Sequence, residues 1–179
     1  MDQRPRIPIF FNFSGNGGVE RTIVSLAAAM ARRGYPVDLL LPKAEGAHAR
    51  SLPEGVNVVD LGTRHTYHSL WALVRYLRRE RPPALLAAKA RSNQVAILAR
   101  RLAGGPTRVT VRFSTTISES LKGRSAFKRW SYCTPIRLTY PWADAWVAPS
   151  AGVADDGARV AGLARDAIHV IPNPVITPE

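Results

Sequence analysis

Acidic residues are scarce in this chain of 179 residues, with 13 Asp plus Glu against 25 Lys plus Arg and a formal net charge of +12. Such an excess favours phosphate-bearing ligands, nucleic acid or an anionic membrane as partners, and it carries no information about fold. Cysteine is reduced to Cys133, which excludes an intramolecular disulfide and points to a reducing compartment. No apolar run approaches the roughly 20 residues of a membrane-spanning helix. The opening "MDQRPRIPIFFNF" has arginines before an apolar run, but Pro8 and Asn12 break it and no cleavage pattern follows. It reads as a first strand rather than a signal peptide. The expected location is the cytoplasm, with peripheral contact at the inner face of the cell membrane. Repeats and low-complexity segments are missing too.

Several familiar site signatures are absent. The glycine cluster of "FNFSGNGGVERTIVSLAAAMARRG" lies between a strand-like and a helix-like stretch, as a phosphate site requires. No Gly-Lys-Ser/Thr follows it, so it is not a P-loop. Gly15 and Gly17 begin a G-x-G-x-x-G pattern, but Glu20 stands where the third glycine belongs. The second strand, "VDLLLPK", carries Asp38 at its start and Pro42 and Lys43 at its end, where a nicotinamide site wants an acid. Gly15, Gly17 and Gly18 are therefore expected to approach a diphosphate through positive-φ backbone, the alternative being a tight turn without a ligand.

Ser150 in "APSAG" lies in a strand–helix turn but lacks the first glycine of a nucleophile elbow. Asp155, Asp156, Asp166 and His169 lie too close downstream for a comfortable triad, so Ser150 reads as a helix N-cap. His65 and His68 have no cysteine or third histidine near by, and no metal is expected. No pair of carboxylates stands out as general acid and base.

What the chain does have is alternation. Strands are predicted at 7–13, 37–41, 56–61, 84–88, 108–113, 145–148 and 167–171. Helices are predicted at 19–33, 69–81, 92–103 and 151–161, with a long basic segment around 118–140. Most strand runs lack polar alternation, as parallel strands buried on both faces do. The fold class is α/β, a Rossmann-like doubly wound and mostly parallel sheet of about seven strands. The basic segment interleaves Lys122, Arg124, Lys128, Arg129 and Arg137 with Phe127, Trp130, Tyr132 and Trp142. Lys122, Arg124, Lys128, Arg129 and Trp130 suit an anionic membrane surface or an acceptor; the other reading buries the aromatics in the core and solvates the bases. No nucleic-acid-binding module accompanies the charge, and no nucleic acid is expected.

In order along the chain, "GNGGVERTIVSLAAAMARRGYPVDLLL", "LPEGVNVVDLG", "RPPALLAAKARSNQVAILARRLAG", "WADAWVAPSAGVADD" and "IHVIPNPV" resemble the N-terminal domain of a GT-B glycosyltransferase of family 4 (glycosyl transferases group 1). The resemblance implies a Rossmann-like N-terminal, acceptor-side domain over 1–171 and the start of an interdomain linker over 172–179. It implies that a C-terminal donor-binding domain is absent from this stretch. The implied activity is sugar transfer from a nucleotide-sugar donor to an acceptor hydroxyl, with retention. The nucleotide-sugar is a substrate, no cofactor is needed, and the acceptor is a glycan, a lipid-linked sugar or a small molecule. The resemblance places Gly15, Gly17 and Gly18 over the donor diphosphate. Many family members carry a histidine after the fifth strand; here "RVTVRFSTTIS" has none, and Arg112 or Ser114 would fill its place. Two other readings are a non-enzymatic basic Rossmann-type module on an anionic surface and a nicotinamide- or FAD-linked oxidoreductase fragment.

Overall fold

Short apolar runs become strands because both of their faces are covered. The computed structural model describes residues 4–13, 17–44 and 55–173. Its strands are β1 (Ile7–Phe10), β2 (Val37–Leu41), β3 (Val56–Asp60), β4 (Ala84–Ala88), β5 (Arg108–Arg112), β6 (Ala145–Ala148) and β7 (Ile168–Val170). They form one sheet in the order β3-β2-β1-β4-β5-β6-β7, and every pairing is parallel. The sheet is thus wholly rather than mostly parallel. Ile9, Phe11, Leu39 and Leu41 join one buried cluster with Ile23 and Ala27. Phe10 and Leu40 point into the other, with Leu73, Leu77, Val95 and Ile97. Successive side chains of β1 and β2 therefore face opposite layers, which is why these runs show no polar alternation.

The helices are α1 (Gly18–Arg32), α2 (Leu70–Glu80), α3 (Ala90–Ala103), the single turn α4 (Ile117–Ser120), α5 (Ala126–Thr139) and α6 (Ala151–Ala161). Gly34 follows α1 at φ +77° and stops it in the left-handed conformation. Ser150 caps α6, its Oγ accepting the Val153 N–H at 3.4 Å, so the capping reading of that serine holds. The basic segment is not one helix. Gly123, at φ +74°, separates α4 from α5, and Ser125 begins α5 by accepting the Lys128 N–H. Strand order reverses between β1 and β4, placing a crevice beyond their carboxyl ends, where open α/β sheets bind ligands. No helix among the described residues is long and apolar enough to cross a membrane.

Candidate functional site

The site is assembled from the loops that leave β1, β4 and β5. Gly17 is the N-cap of α1, and among the described residues no side-chain cap bond forms there. Its φ of −74° and ψ of 154° are extended backbone, and Gly18 likewise is not among the positive-φ glycines. The expected positive φ does not occur at these two positions. What remains is space: among the described residues, a Cβ built on Gly17 or Gly18 meets nothing within 4 Å. The first N–H groups of α1 face that opening with the positive end of the helix dipole behind them. Gly15 lies outside the described residues.

Glu20, in the first turn of α1, is 1% exposed. Its Oε1 accepts from Lys89 Nζ at 2.8 Å, and the same ammonium donates to the Asn12 carbonyl at 2.8 Å. Lys89 therefore ties the end of β4 to both sides of the glycine loop across the switch point. It does so at φ +73° and ψ 141°, a region glycine ordinarily occupies, where another residue costs on the order of 1–3 kcal/mol. Strain of this kind persists only when its surroundings enforce it. The sequence shows Glu20 merely as a missing third glycine and gives no sign of Lys89.

Arg112 and Ser114, expected to stand in for the histidine, are brought together. Arg112 is 6% exposed at the end of β5, its Nη1 lying 3.3 Å from Ser114 Oγ and its Nη2 donating to Asn173 Oδ1 at 2.5 Å. Both partners are neutral, and no carboxylate among the described residues reaches the guanidinium. Burial lowers its pKa from the ordinary value, yet an arginine so placed remains a cation. A buried charge held only by neutral groups suits an arriving anion. Asn93, 1% exposed, donates to the Arg112 carbonyl at 3.1 Å and to the Tyr140 hydroxyl at 2.9 Å. Its Oδ1 has no hydrogen-bond partner among the described residues. Lys89, Asn93, Arg112, Ser114, Tyr132 and Tyr140 border a cleft of about 220 Å³.

A larger cleft of about 560 Å³ adjoins it, Ala90 and Tyr132 lining both. The start of α3 forms one wall, and the turn before α5 and α5 itself the other. Lys128, Ser131, Tyr132 and Pro135 line it, a spacing of three and four that makes one helix face. Cys133, Ile136 and Tyr140 turn toward the core. Phe127, Trp130 and Leu138 turn outward, 73%, 63% and 62% exposed. Of the expected basic patch, Arg124 and Lys128 thus belong to the cleft, while Lys122, Arg129 and Trp130 are exposed outside it. The aromatics of α5 do not lie in the core. Trp142 is set apart, its ring covered by the Arg101 guanidinium at 4.3 Å.

The family described as "Glycosyl transferase 4-like domain" matches residues 17–174. This chain belongs to it. Among solved structures, the HepE protein of Anabaena in complex with UDP-glucose superposes with a TM-score of 0.73 at 15% identity, over 96% of this chain and 44% of that one. Sucrose-phosphate synthase of Thermosynechococcus elongatus gives 0.70 at 14% identity, over 94% and 48%. The lipopolysaccharide outer core galactosyltransferase WaaB gives 0.63 at 16% identity, over 95% and 46%. No curated protein matches. The glycosyltransferase-family chain therefore has the Rossmann-like fold of a GT-B N-terminal domain and spans less than half the length of these structures.

Proposed function

We propose that this domain serves a retaining glycosyltransferase, moving a sugar from a nucleotide-sugar to an acceptor hydroxyl. One observation carries the reading. At the switch point, Gly17 and Gly18 leave open ground, among the described residues, above a helix N-terminus without a side-chain cap, with the Arg112 cation at the end of β5, one strand beyond β4, bordering the same cleft as Val19. A diphosphate laid there, with Gly15 in the same loop, would meet backbone N–H groups. These stabilise the leaving-group charge without a metal. Arg112 and Ser114 would stand beside the reacting centre, Arg112 countering developing negative charge and Ser114 orienting a hydroxyl. A second domain beyond the linker at 172–179 would supply most of the donor grip, and the 179-residue chain alone would not turn over, since transfer needs both substrates positioned together. The test is an amide NMR titration of this chain with UDP-glucose, GDP-mannose and NAD. Sugar nucleotides should shift Gly17, Gly18, Val19 and Ser114. NAD alone shifting them would transfer the site to an oxidoreductase, and silence toward all three at millimolar ligand, where even this domain's minor share of the grip should show, would overturn the reading.

A cytoplasmic protein resting on an anionic membrane is the second element of the proposal. The outward face of α5, with Phe127 and Trp130 at a ring separation of 6.1 Å and Lys122 and Arg129 exposed, supports it. Apolar side chains would enter the headgroup boundary while the bases meet anionic lipid. Co-sedimentation with phosphatidylglycerol vesicles should be salt-sensitive and weakened about tenfold or more by Lys122→Gln with Arg129→Gln, since each base is worth about 1 kcal/mol near such a surface. Equal binding to neutral vesicles would remove the membrane from the account.

A further inference from the structure

The larger cleft has a charge pattern that the donor site does not account for. Arg91 comes from the first turn of α3, Arg124 from the turn before α5, and Lys128 from α5, so three separate elements direct cations at one space. None of the three is in an ion pair among the described residues, although Lys122, near by, pairs with Glu119 at 3.5 Å. Among the described residues, no Asp or Glu lines the cleft. Three cations left together without a counter-ion repel one another, and folding alone gives no reason to converge them. The start of α3 adds to the field. Its N-cap, Lys89, forms no side-chain cap bond, and its first turn holds no acid, so the positive end of a 14-residue helix opens here.

The remaining lining is suited to a sugar or a similar polar ring. Gln94 is 6% exposed, and its Oε1 accepts from the Tyr67 hydroxyl at 2.8 Å. That bond fixes the orientation of the amide, leaving its NH2 to donate. Tyr67 and Tyr132 present aromatic surface to the cleft. The volume of about 560 Å³ falls within the range of small-molecule sites. The junction at Ala90 and Tyr132 leads on to Arg112 and Ser114.

We propose that this cleft binds an acceptor carrying a phosphate group, held by Arg91, Arg124 and Lys128, with its sugar or polar ring between Tyr67 and Tyr132. The proposal rests on the sugar-transfer reading and deepens it: the acceptor's phosphate anchors it at the far end, and its hydroxyl reaches past Tyr132 toward Ser114. The phosphate has two sources, a soluble sugar phosphate or a phosphate-linked lipid lying along the exposed face of α5. Both present the same dianionic or monoanionic oxygens to the same three bases.

The experiment uses amide and arginine side-chain NMR on the 179-residue chain. It is titrated with inorganic phosphate, with glucose 6-phosphate, and with phosphatidylcholine nanodiscs with and without a polyprenyl phosphate, all at matched ionic strength in sodium chloride. Saturable shifts are expected at Arg91, Gln94, Arg124 and Lys128. Arg91→Gln combined with Lys128→Gln should weaken them about tenfold or more; both residues are exposed, so the variant should retain its spectrum. Saturation by the soluble phosphates assigns a soluble source. Saturation only by polyprenyl-phosphate nanodiscs assigns a lipid one. Shifts matched by sodium chloride alone, shifts unchanged in the double variant, or equal binding to plain phosphatidylcholine would overturn the proposal. Donor binding is read separately at Gly17–Val19, so a failed phosphate site with intact donor shifts leaves the transfer reading standing. Lost donor shifts with phosphate still bound would do the reverse.

Discussion

The two ends of the sheet treat buried charge in opposite ways. At the amino end, Asp38 of β2 is 2% exposed. Its carboxylate accepts from Arg6 at 2.6 Å, from Asn57 at 2.9 Å and from Tyr76 at 2.5 Å. Burial and the bond to Asp38 push the Tyr76 phenol well above its ordinary pKa, so it remains a donor at any working pH. At the carboxyl end, among the described residues, the buried Arg112 guanidinium has only Ser114 and Asn173 as partners, Asn93 Oδ1 is unmatched, and three bases share a cleft without an acid. A polar cluster completed from within the chain holds the fold. One that is left open at a strand's carboxyl end is where a ligand is awaited.

Breaking the completed cluster should have the largest effect on stability. Asp38→Ala strands the Tyr76 hydroxyl and the Arg6 guanidinium, and a loss of about 2–4 kcal/mol is expected. Arg6 is half-exposed and can regain water, which keeps the figure below that of a fully buried pair. Urea unfolding measures it; a change under about 1 kcal/mol would mean the amino end is no more saturated than the other. Donor binding at Gly17 should survive wherever the variant stays folded.

Next in size is the packing behind the carboxyl-end cleft. Gly157 of α6 lies so close to the residue after β5 that an added Cβ would sit 2.8 Å from Phe113 Cε1. Phe113 is itself packed on Tyr140, at a ring separation of 5.4 Å, and borders the smaller cleft. Gly157→Ala should cost about 1–3 kcal/mol by overpacking and shift the amide signals of Ser114 and Asn93. A wild-type melting curve would show that the ring swings away freely.

The strands were legible because their signal is local. Val37–Leu41, Ala84–Ala88 and Ala145–Ala148 coincide with their predicted ranges, since an apolar run between turn residues has few other uses. The site was less legible. Gly17 and Gly18 open α1 without the positive φ expected of them, and a Cβ there meets no described atom within 4 Å. Glu20 and Lys89 lie 69 positions apart, and nothing in "GGVER" or "AAKAR" reveals that the two meet. Arg124 and Lys128 were visible as charge, but Arg91 comes from α3, and one basic segment was expected where Gly123 separates α4 from α5. Helix packing decides which face of α5 turns inward, and local pattern does not encode that.

A smaller, pH-dependent effect separates a completed carboxylate from the rest. Asp156 is 3% exposed and caps α4, accepting the Ser118 N–H at 3.0 Å and an Arg159 N–H at 2.6 Å. Burial pushes its pKa up, but the bonds from Ser118 and Arg159 outweigh that and leave it below the ordinary carboxylate value. A depressed folded pKa contributes stability above the unfolded value of about 3.9. That contribution is lost as pH falls through the folded pKa. Asp156→Asn should therefore be less stable than the parent at pH 6, and the two unfolding curves should converge toward pH 2. Parallel curves would show that the carboxylate's charge is not what matters at that cap.

The smallest expected effect on stability falls at the glycine loop. Valine at 17 or 18 meets no described neighbour within 4 Å of its Cβ, and neither position has a positive φ to strain. Gly18 is the first residue of α1, where a β-branched side chain costs only a few tenths of a kcal/mol. Gly17→Val and Gly18→Val should accordingly unfold within about 0.5 kcal/mol of the parent. The same side chains would occupy the ground above the helix N-terminus where a diphosphate has to reach backbone N–H groups. Sugar-nucleotide shifts at Val19 and Ser114 should then be lost, and in a protein that includes the donor-gripping domain transfer should fall by about a hundredfold or more, the scale of losing preorganised donors to a leaving group. Folding that is undisturbed while donor binding disappears would mark the carboxyl end as open for a ligand. Undisturbed binding would reduce the loop to a turn and remove the distinction between the two ends at its most exposed point.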